Sequence, residues 1–193
     1  MFTIGHGTRA VEELIACLDD AGVRTLVDVR RFPGSRRNPQ FGQERLAASL
    51  EEAKIAYRHA EELGGRLHER RLDGAHQGAE APALPVPGAG NIEPGEERFG
   101  CIRVGAFRSY AARMGTAEWQ AALTSALAEP IPCFMCAETL WTKCHRRLIA
   151  ELLQARGHHV VHLLAPGRRE PHKPWDEAEY RGGKLYLCGQ EVA

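Results

Sequence analysis

A chain of 193 residues, 44% of them hydrophobic, can bury one core several layers deep and is too short for two ordinary domains joined by a linker. Its 25 basic side chains equal its 25 acidic ones, which excludes a long-range field drawing the whole molecule toward nucleic acid or an anionic membrane. Any anion site must therefore be local.

The start, Met1-Phe2-Thr3-Ile4-Gly5-His6, lacks the basic residues and long apolar run of a signal peptide, and no later run reaches the roughly 18 residues of a span. A cytoplasmic protein without a membrane partner is expected. The 6 cysteines are scattered through a chain of ordinary apolar content, unlike a small secreted framework, so reduced thiols are expected.

Met1 to Ile4 reads as a strand, Gly5-His6-Gly7 as a loop, and Val11, Leu14, Ile15 and Leu18 as the apolar face of a helix with Thr8 as N-cap. Gly22 suits the helix end, and Val23 to Val29 is the next strand, completing a βαβ unit with parallel strands. Arg30 to Pro39 holds two prolines and a glycine among four arginines and reads as a rigid basic loop. Leu46, Ala47, Leu50 and Ala53 mark a second helix, and Ile55 to His59 a third strand.

From His68 to Glu97 periodicity is lost in a stretch rich in Gly, Pro and Ala, read as a mobile insertion that serves either as a lid or as a tolerated surface loop. Phe107 to Met114 and a segment capped by Thr116 are helices, and Ile131 to Cys136 is a buried strand with Pro132 near its start. Lys143 to Arg156 is a helix ended by Gly157, and His158 to Leu164 a fifth strand. The fold class is thus α/β: one three-layer, Rossmann-like domain over 1–166 with a mostly parallel five-stranded sheet and the 68–97 insertion. Residues 167–193 read as an irregular basic extension, with Arg181-Gly182-Gly183-Lys184 turning a terminal hairpin.

Ligands of open parallel sheets bind beyond the carboxyl ends of the strands, beside helix N-termini that offer free amides. The loops there carry Gly5, His6 and Gly7; Asp28, Arg30, Ser35 and Arg36; and Glu138 with Cys144, His145 and Arg146. Strands ending at Ile4, Val29 and Cys136 should be neighbours, so that His6, Arg30 and Glu138 share one pocket. The guanidinium forks suit a phosphate or carboxylate; the competing reading is a solvated loop pairing with Glu61 and Glu62. Asp28 needs a buried partner, for which Arg30 or a backbone amide are the candidates. The glycines beside His6 admit close backbone approach, and His6 itself can move a proton or hold an anion. Glu138, following a buried strand, suits acid/base work or a grip on a ribose hydroxyl.

Cys133, Cys136, Cys144 and His145 contain the ligand types of a zinc site, but residues three apart on a strand face opposite sides, so no metal and no cofactor are expected. Cys144, in the first turn of its helix with Arg146 and Arg147 near, is either a nucleophilic thiolate or a small buried residue.

Thr3-Ile4-Gly5-His6-Gly7, Val27-Asp28-Val29-Arg30 with Pro33, Ser35-Arg36 and Pro39, Leu63-Gly64-Gly65, Tyr110 to Met114, and Met135-Cys136-Ala137-Glu138 with Cys144-His145-Arg146 together resemble the domain-of-unknown-function family 488. That resemblance spans nearly the whole chain and implies no established activity. Gly7 departs from it, since the family more often reads Gly-His-Ser. The leading expectation is an enzyme acting on a phosphate-bearing partner, a nucleotide or nucleic acid, by hydrolysis of a glycosidic or phosphoester bond with Glu138 as acid/base. The alternatives are an anion- or nucleic-acid-binding module without catalysis, and rhodanese-like or phosphatase-like chemistry at Cys144; the latter lacks a Cys-x5-Arg loop.

Overall fold

The computed structural model of the protein describes residues 1–34, 37–65 and 95–193. In chain order they form β1 (Phe2–Gly5), α1 (Val11–Asp20), β2 (Thr25–Asp28), α2 (Gln43–Glu52), β3 (Ala56–His59), α3 (Gly105–Met114), α4 (Ala117–Leu127), β4 (Pro132–Cys136), α5 (Arg146–Ala155), β5 (Val161–Ala165), β6 (Arg168–Pro171), β7 (Ala178–Arg181), β8 (Lys184–Leu187) and β9 (Gln190–Glu191). The main sheet runs β3-β2-β4-β1-β5-β6. Its first five strands pair in parallel, and β6 is antiparallel to β5.

The sheet therefore has six strands where the sequence reads five. Gly167, at a φ of 69°, closes a tight turn that folds the expected irregular tail back along β5. The tail's Arg168-Arg169-Glu170-Pro171 gives no apolar signal because an edge strand needs only one covered side, and charges along it discourage pairing with another chain.

Two apolar layers sandwich the sheet. One gathers Leu14 and Leu18 of α1 and Leu46 and Leu50 of α2 against Ile4, Leu26, Cys133 and Met135. The other sets Tyr110, Trp119, Leu123, Leu148 and Leu152 against Val27, Phe134 and Cys136. The alternation along β4 thus turns Cys133 to one layer and Cys136 to the other, as period-two geometry requires. Both faces being covered, β2 and β4 are buried throughout.

Thr116 caps α4, its Oγ1 accepting the Trp119 N–H at 3.3 Å. Thr8 does not cap α1; Ala10 holds that position with no side-chain bond, because the chain leaves β1 through a turn in which the Arg9 N–H bonds the His6 carbonyl. The expected hairpin forms, with Gly182 and Gly183 at φ 58° and 79° between β7 and β8, and β9 extends it to a three-stranded sheet. Leu185, Leu187 and Val192 join the core beside α5. A disulfide links Cys101 and Cys188 across 87 residues, with Cα atoms 5.6 Å apart, so two of the thiols expected to be reduced are paired. Neither spacing nor periodicity brings these cysteines together; the return of the C-terminal hairpin onto α5 does. No helix among the described residues is long and apolar enough to cross a membrane. Ser35, Arg36 and residues 68–94 of the expected insertion lie outside the described residues; Glu96–Phe99 is a short 3-10 turn.

Candidate functional site

Because β4 lies between β1 and β2, the ends of these three strands open side by side. The His6 and Val29 amides both bond into the end of β4, at the carbonyls of Cys136 and Met135. His6 and Arg30 meet there as expected, the Arg30 guanidinium 3.2 Å from His6 Nε2. Gly5 is required by close approach, since a Cβ would stand 1.9 Å from the Glu138 carbonyl oxygen. Gly7 adopts φ +54°, and a Cβ there would lie 2.2 Å from Thr139 Oγ1. In this chain the Thr139 hydroxyl thus takes the space a Gly7 side chain would need.

Asp28 ends β2 fully buried and finds both expected partners: the Arg30 amide bonds Oδ1 at 3.0 Å, and the Arg30 guanidinium spans both carboxylate oxygens. Tyr57 from β3 donates its hydroxyl to Oδ2 at 2.8 Å, and its phenol is raised by burial and then by that carboxylate. Arg30 is thereby a closed ion pair, 6% exposed, rather than a free fork. His6, stacked on Phe41 with centroids 4.3 Å apart, is lowered to about 4 by burial and then by the Arg30 charge. It is a neutral imidazole whose Nδ1–H can donate to the Gly7 carbonyl at 2.9 Å while Nε2 accepts from Arg30, so both nitrogens are engaged.

Arg146 has the opposite surroundings. It is 1% exposed, donates to the Glu138 carbonyl and to Thr3 Oγ1 at 3.3 Å, and has no carboxylate partner among the described residues. Arg146, expected among the ligand-binding residues, lies inside the strand ends, its guanidinium engaged by the protein's own carbonyl and hydroxyl groups. Its hold on the Glu138 backbone fixes the β4–α5 loop, while the Glu138 side chain is exposed and carries no hydrogen bond or ion pair among the described residues.

Cys144 lies one residue before the helix cap rather than in the first turn; a 3-10 turn at Trp141–Lys143 delays α5, whose cap is His145. The Arg146 amide reaches Cys144 Sγ at 3.5 Å, giving an otherwise orphan helix donor a sulfur acceptor. His145 Nδ1 lies 3.8 Å from Cys136 Sγ and 3.7 Å from Cys144 Sγ. Burial alone would raise the Cys144 thiol, but hydrogen bonding from Cys136, then His145, then the Arg146 charge bring it well below the usual thiol range. Cys136 moves the other way, raised by its hydrogen bond to Cys144 and by burial. The two thiols are thus driven in opposite directions, Cys144 toward the thiolate and Cys136 toward the neutral thiol.

Leu63-Gly64-Gly65 forms the wall between these parts. A Cβ at Gly64 would stand 2.7 Å from the Arg31 backbone nitrogen, and one at Gly65 would stand 2.4 Å from His145 Nδ1. Tyr110 donates to the Leu63 carbonyl at 2.8 Å and Arg113 to that of Gly64. Arg31 shares a surface hollow with Glu61 and Glu62, the acids of the solvated-loop reading, and Arg37 is exposed.

Sequence reasoning missed a polar chain running inward from Arg146. Thr3 Oγ1 lies 2.7 Å from His162 Nδ1, His162 Nε2 lies 3.0 Å from His172 Nδ1, and His172 Nε2 faces Glu151 Oε1 at 3.2 Å. Glu151, fully buried, also accepts the Trp175 amide and the Tyr180 hydroxyl. His162 is pushed down to about 3 by burial and then by His172. The available signal was an acid on the apolar face of α5, three positions from Leu148.

Fold and site together define an α/β protein whose neighbouring strand ends bring together two buried arginines and a thiol-imidazole corner. The chain belongs to the family described as domain of unknown function DUF488, which matches residues 10–83 and 90–153. Neither a curated protein nor a solved structure matches it.

Proposed function

We propose that the strand-end crevice takes a phosphate-bearing substrate, a nucleotide or nucleic acid, and that Glu138 acts on it as acid/base in hydrolysis of a glycosidic or phosphoester bond. The observation that carries this reading is the Arg146 clamp. Among the described residues, a buried cation without a carboxylate grips the backbone of the residue whose exposed carboxylate has no partner after β4. Burying a charge is costly unless an opposite charge offsets it, so the Arg146 site favours an anion nearby, here the Cys144 thiolate and, at the mouth, a substrate phosphate. Cys144 serves as a counter-charge rather than a nucleophile in this reading, being only 2% exposed. The Rossmann-like placement of ligands beyond parallel strand ends supports the same location.

A product screen with nucleotides, nucleosides and oligonucleotides tests the proposal. Turnover that falls at least about a hundredfold in Glu138→Gln, with substrate binding retained, is expected for a lost acid/base. Binding without turnover in the wild type would instead favour a binding module, and a steep fall of affinity with salt would identify its ligand as nucleic acid.

A further inference from the structure

We propose that Cys136, Cys144 and His145 form a binding site for a thiophilic divalent cation of the zinc type, with three protein ligands and a fourth position open. Their ligand atoms, two sulfurs and one imidazole nitrogen, all lie within 4.8 Å of one another. A tetrahedral zinc, with bonds of about 2.3 Å to sulfur and 2.0 Å to nitrogen, sets sulfur and nitrogen about 3.6 Å apart. The two sulfur-to-Nδ1 distances here are 3.8 and 3.7 Å, so the imidazole already stands at nearly the right separation from both sulfurs. Sequence spacing argues against a metal because Cys133 faces away, and it does. Cys136, Cys144 and His145 complete a three-ligand set without it.

The ligands are held on rigid parts: Cys136 ends a central strand, and Cys144 and His145 form the entry to α5. Gly65 lies against the imidazole, where any Cβ would strike it, and Tyr110 packs 5.0 Å away, so the ring has one place to be. Among the described residues its buried Nε2 has no hydrogen-bond partner and its Nδ1 meets only the two sulfurs, so the fold gives this side chain no oxygen or nitrogen partner there. A buried polar group in that condition is better explained by a ligand than by packing.

Coordination as two thiolates releases to solvent the proton that Cys136 retains and any still held by Cys144. Two thiolates then neutralise a dication, and the buried Arg146 leaves the corner with one net positive charge, which suits water, hydroxide or an anionic group in the open position. Thiolate ligands favour zinc, and cobalt as its spectroscopic stand-in, over magnesium or calcium. The site does not depend on the phosphate reading above.

Titrating the reduced, metal-free full chain with Co2+ tests it. One equivalent should bring up a thiolate-to-cobalt charge-transfer band and the strong visible absorption of tetrahedral cobalt, both erased by Zn2+. Cys136→Ser and Cys144→Ser should each weaken the apparent affinity about tenfold or more and reduce the charge-transfer band, while Cys17→Ala, in the opposite layer, should leave both unchanged. Circular dichroism checks that each variant folds; if one does not, the wild-type spectrum and the other variants still decide. Absence of the band in the wild type overturns the site. So does a band that survives both serine substitutions, or one that Cys17→Ala removes.

Discussion

Two arginines are buried on either side of β4, and they have opposite solutions to the same electrostatic problem. Arg30 is matched by the fully buried Asp28, which takes its guanidinium and its backbone amide. Arg146, more deeply buried, is given a carbonyl, a hydroxyl and the Cys144 sulfur nearby, but no carboxylate among the described residues. The first is a finished structural unit that ties the loop after β2 to the sheet. The second leaves charge over, and charge left over in a buried site favours binding an anion or holding a thiol ionised. Position at a strand end is thus not enough to make an arginine a ligand group; what neutralises it decides.

The comparison breaks most visibly at the closed pair. Arg30→Ala should cost about 3 to 5 kcal/mol in urea unfolding, because Asp28 is left as an uncompensated buried charge. Asp28→Asn combined with Arg30→Met should recover part of that loss; a double variant as unstable as Arg30→Ala would deny that the pair is self-contained.

A pH series separates the arginines through the histidines beside them. His6 is lowered to about 4 and His162 to about 3, both below the ordinary value near 6.5. The unfolded chain therefore takes up protons that the folded chain refuses, and stability falls as pH drops from about 6.5 toward these values. The slope is up to about 1.4 kcal/mol per pH unit for each histidine. Denaturation between pH 7 and 4 should show this fall, and His6→Asn should flatten it; an unchanged slope would mean that His6 is not held neutral beside Arg30.

For the open charge, Arg146→Met should cost less than Arg30→Ala, about 1 to 3 kcal/mol, since it removes charged hydrogen bonds but strands no carboxylate. Its diagnostic effect is on chemistry: the Cys144 thiol should titrate higher, read as an upward shift in the pH profile of its alkylation. An unshifted profile would separate Arg146 from the thiolate. The smallest effect belongs to Arg168 and Arg169, exposed on β6; replacing both with Ala should cost below about 1 kcal/mol in thermal melts, although Arg169 meets Asp20 at 2.8 Å.

Local chemistry made much of this legible in the sequence. Apolar spacing predicts α1, α2 and α5, and the Thr116 cap and the glycines at 22, 157 and 182–183 lie at the ends and turns they mark. The convergence of His6, Arg30 and the Glu138 loop follows from strand-end position, and the partners of Asp28 follow from the need to satisfy a buried acid. These depend on neighbours within a few residues or on a rule common to parallel sheets.

Tertiary structure alone decided the rest, because burial is a property of what arrives from elsewhere in the chain. Arg146 reads as a free fork until α5 packs beneath β1 and Thr3, 143 residues earlier, becomes its partner. Cys136, Cys144 and His145 read as ligand types that strand geometry keeps apart, until a 3-10 turn shifts the start of α5 and sets His145 against both sulfurs. Glu151, His162 and His172 carry no motif, and meet only because β6 folds back on β5 at Gly167. Periodicity records which face of an element is covered; it holds no record of which distant polar group will be covered with it.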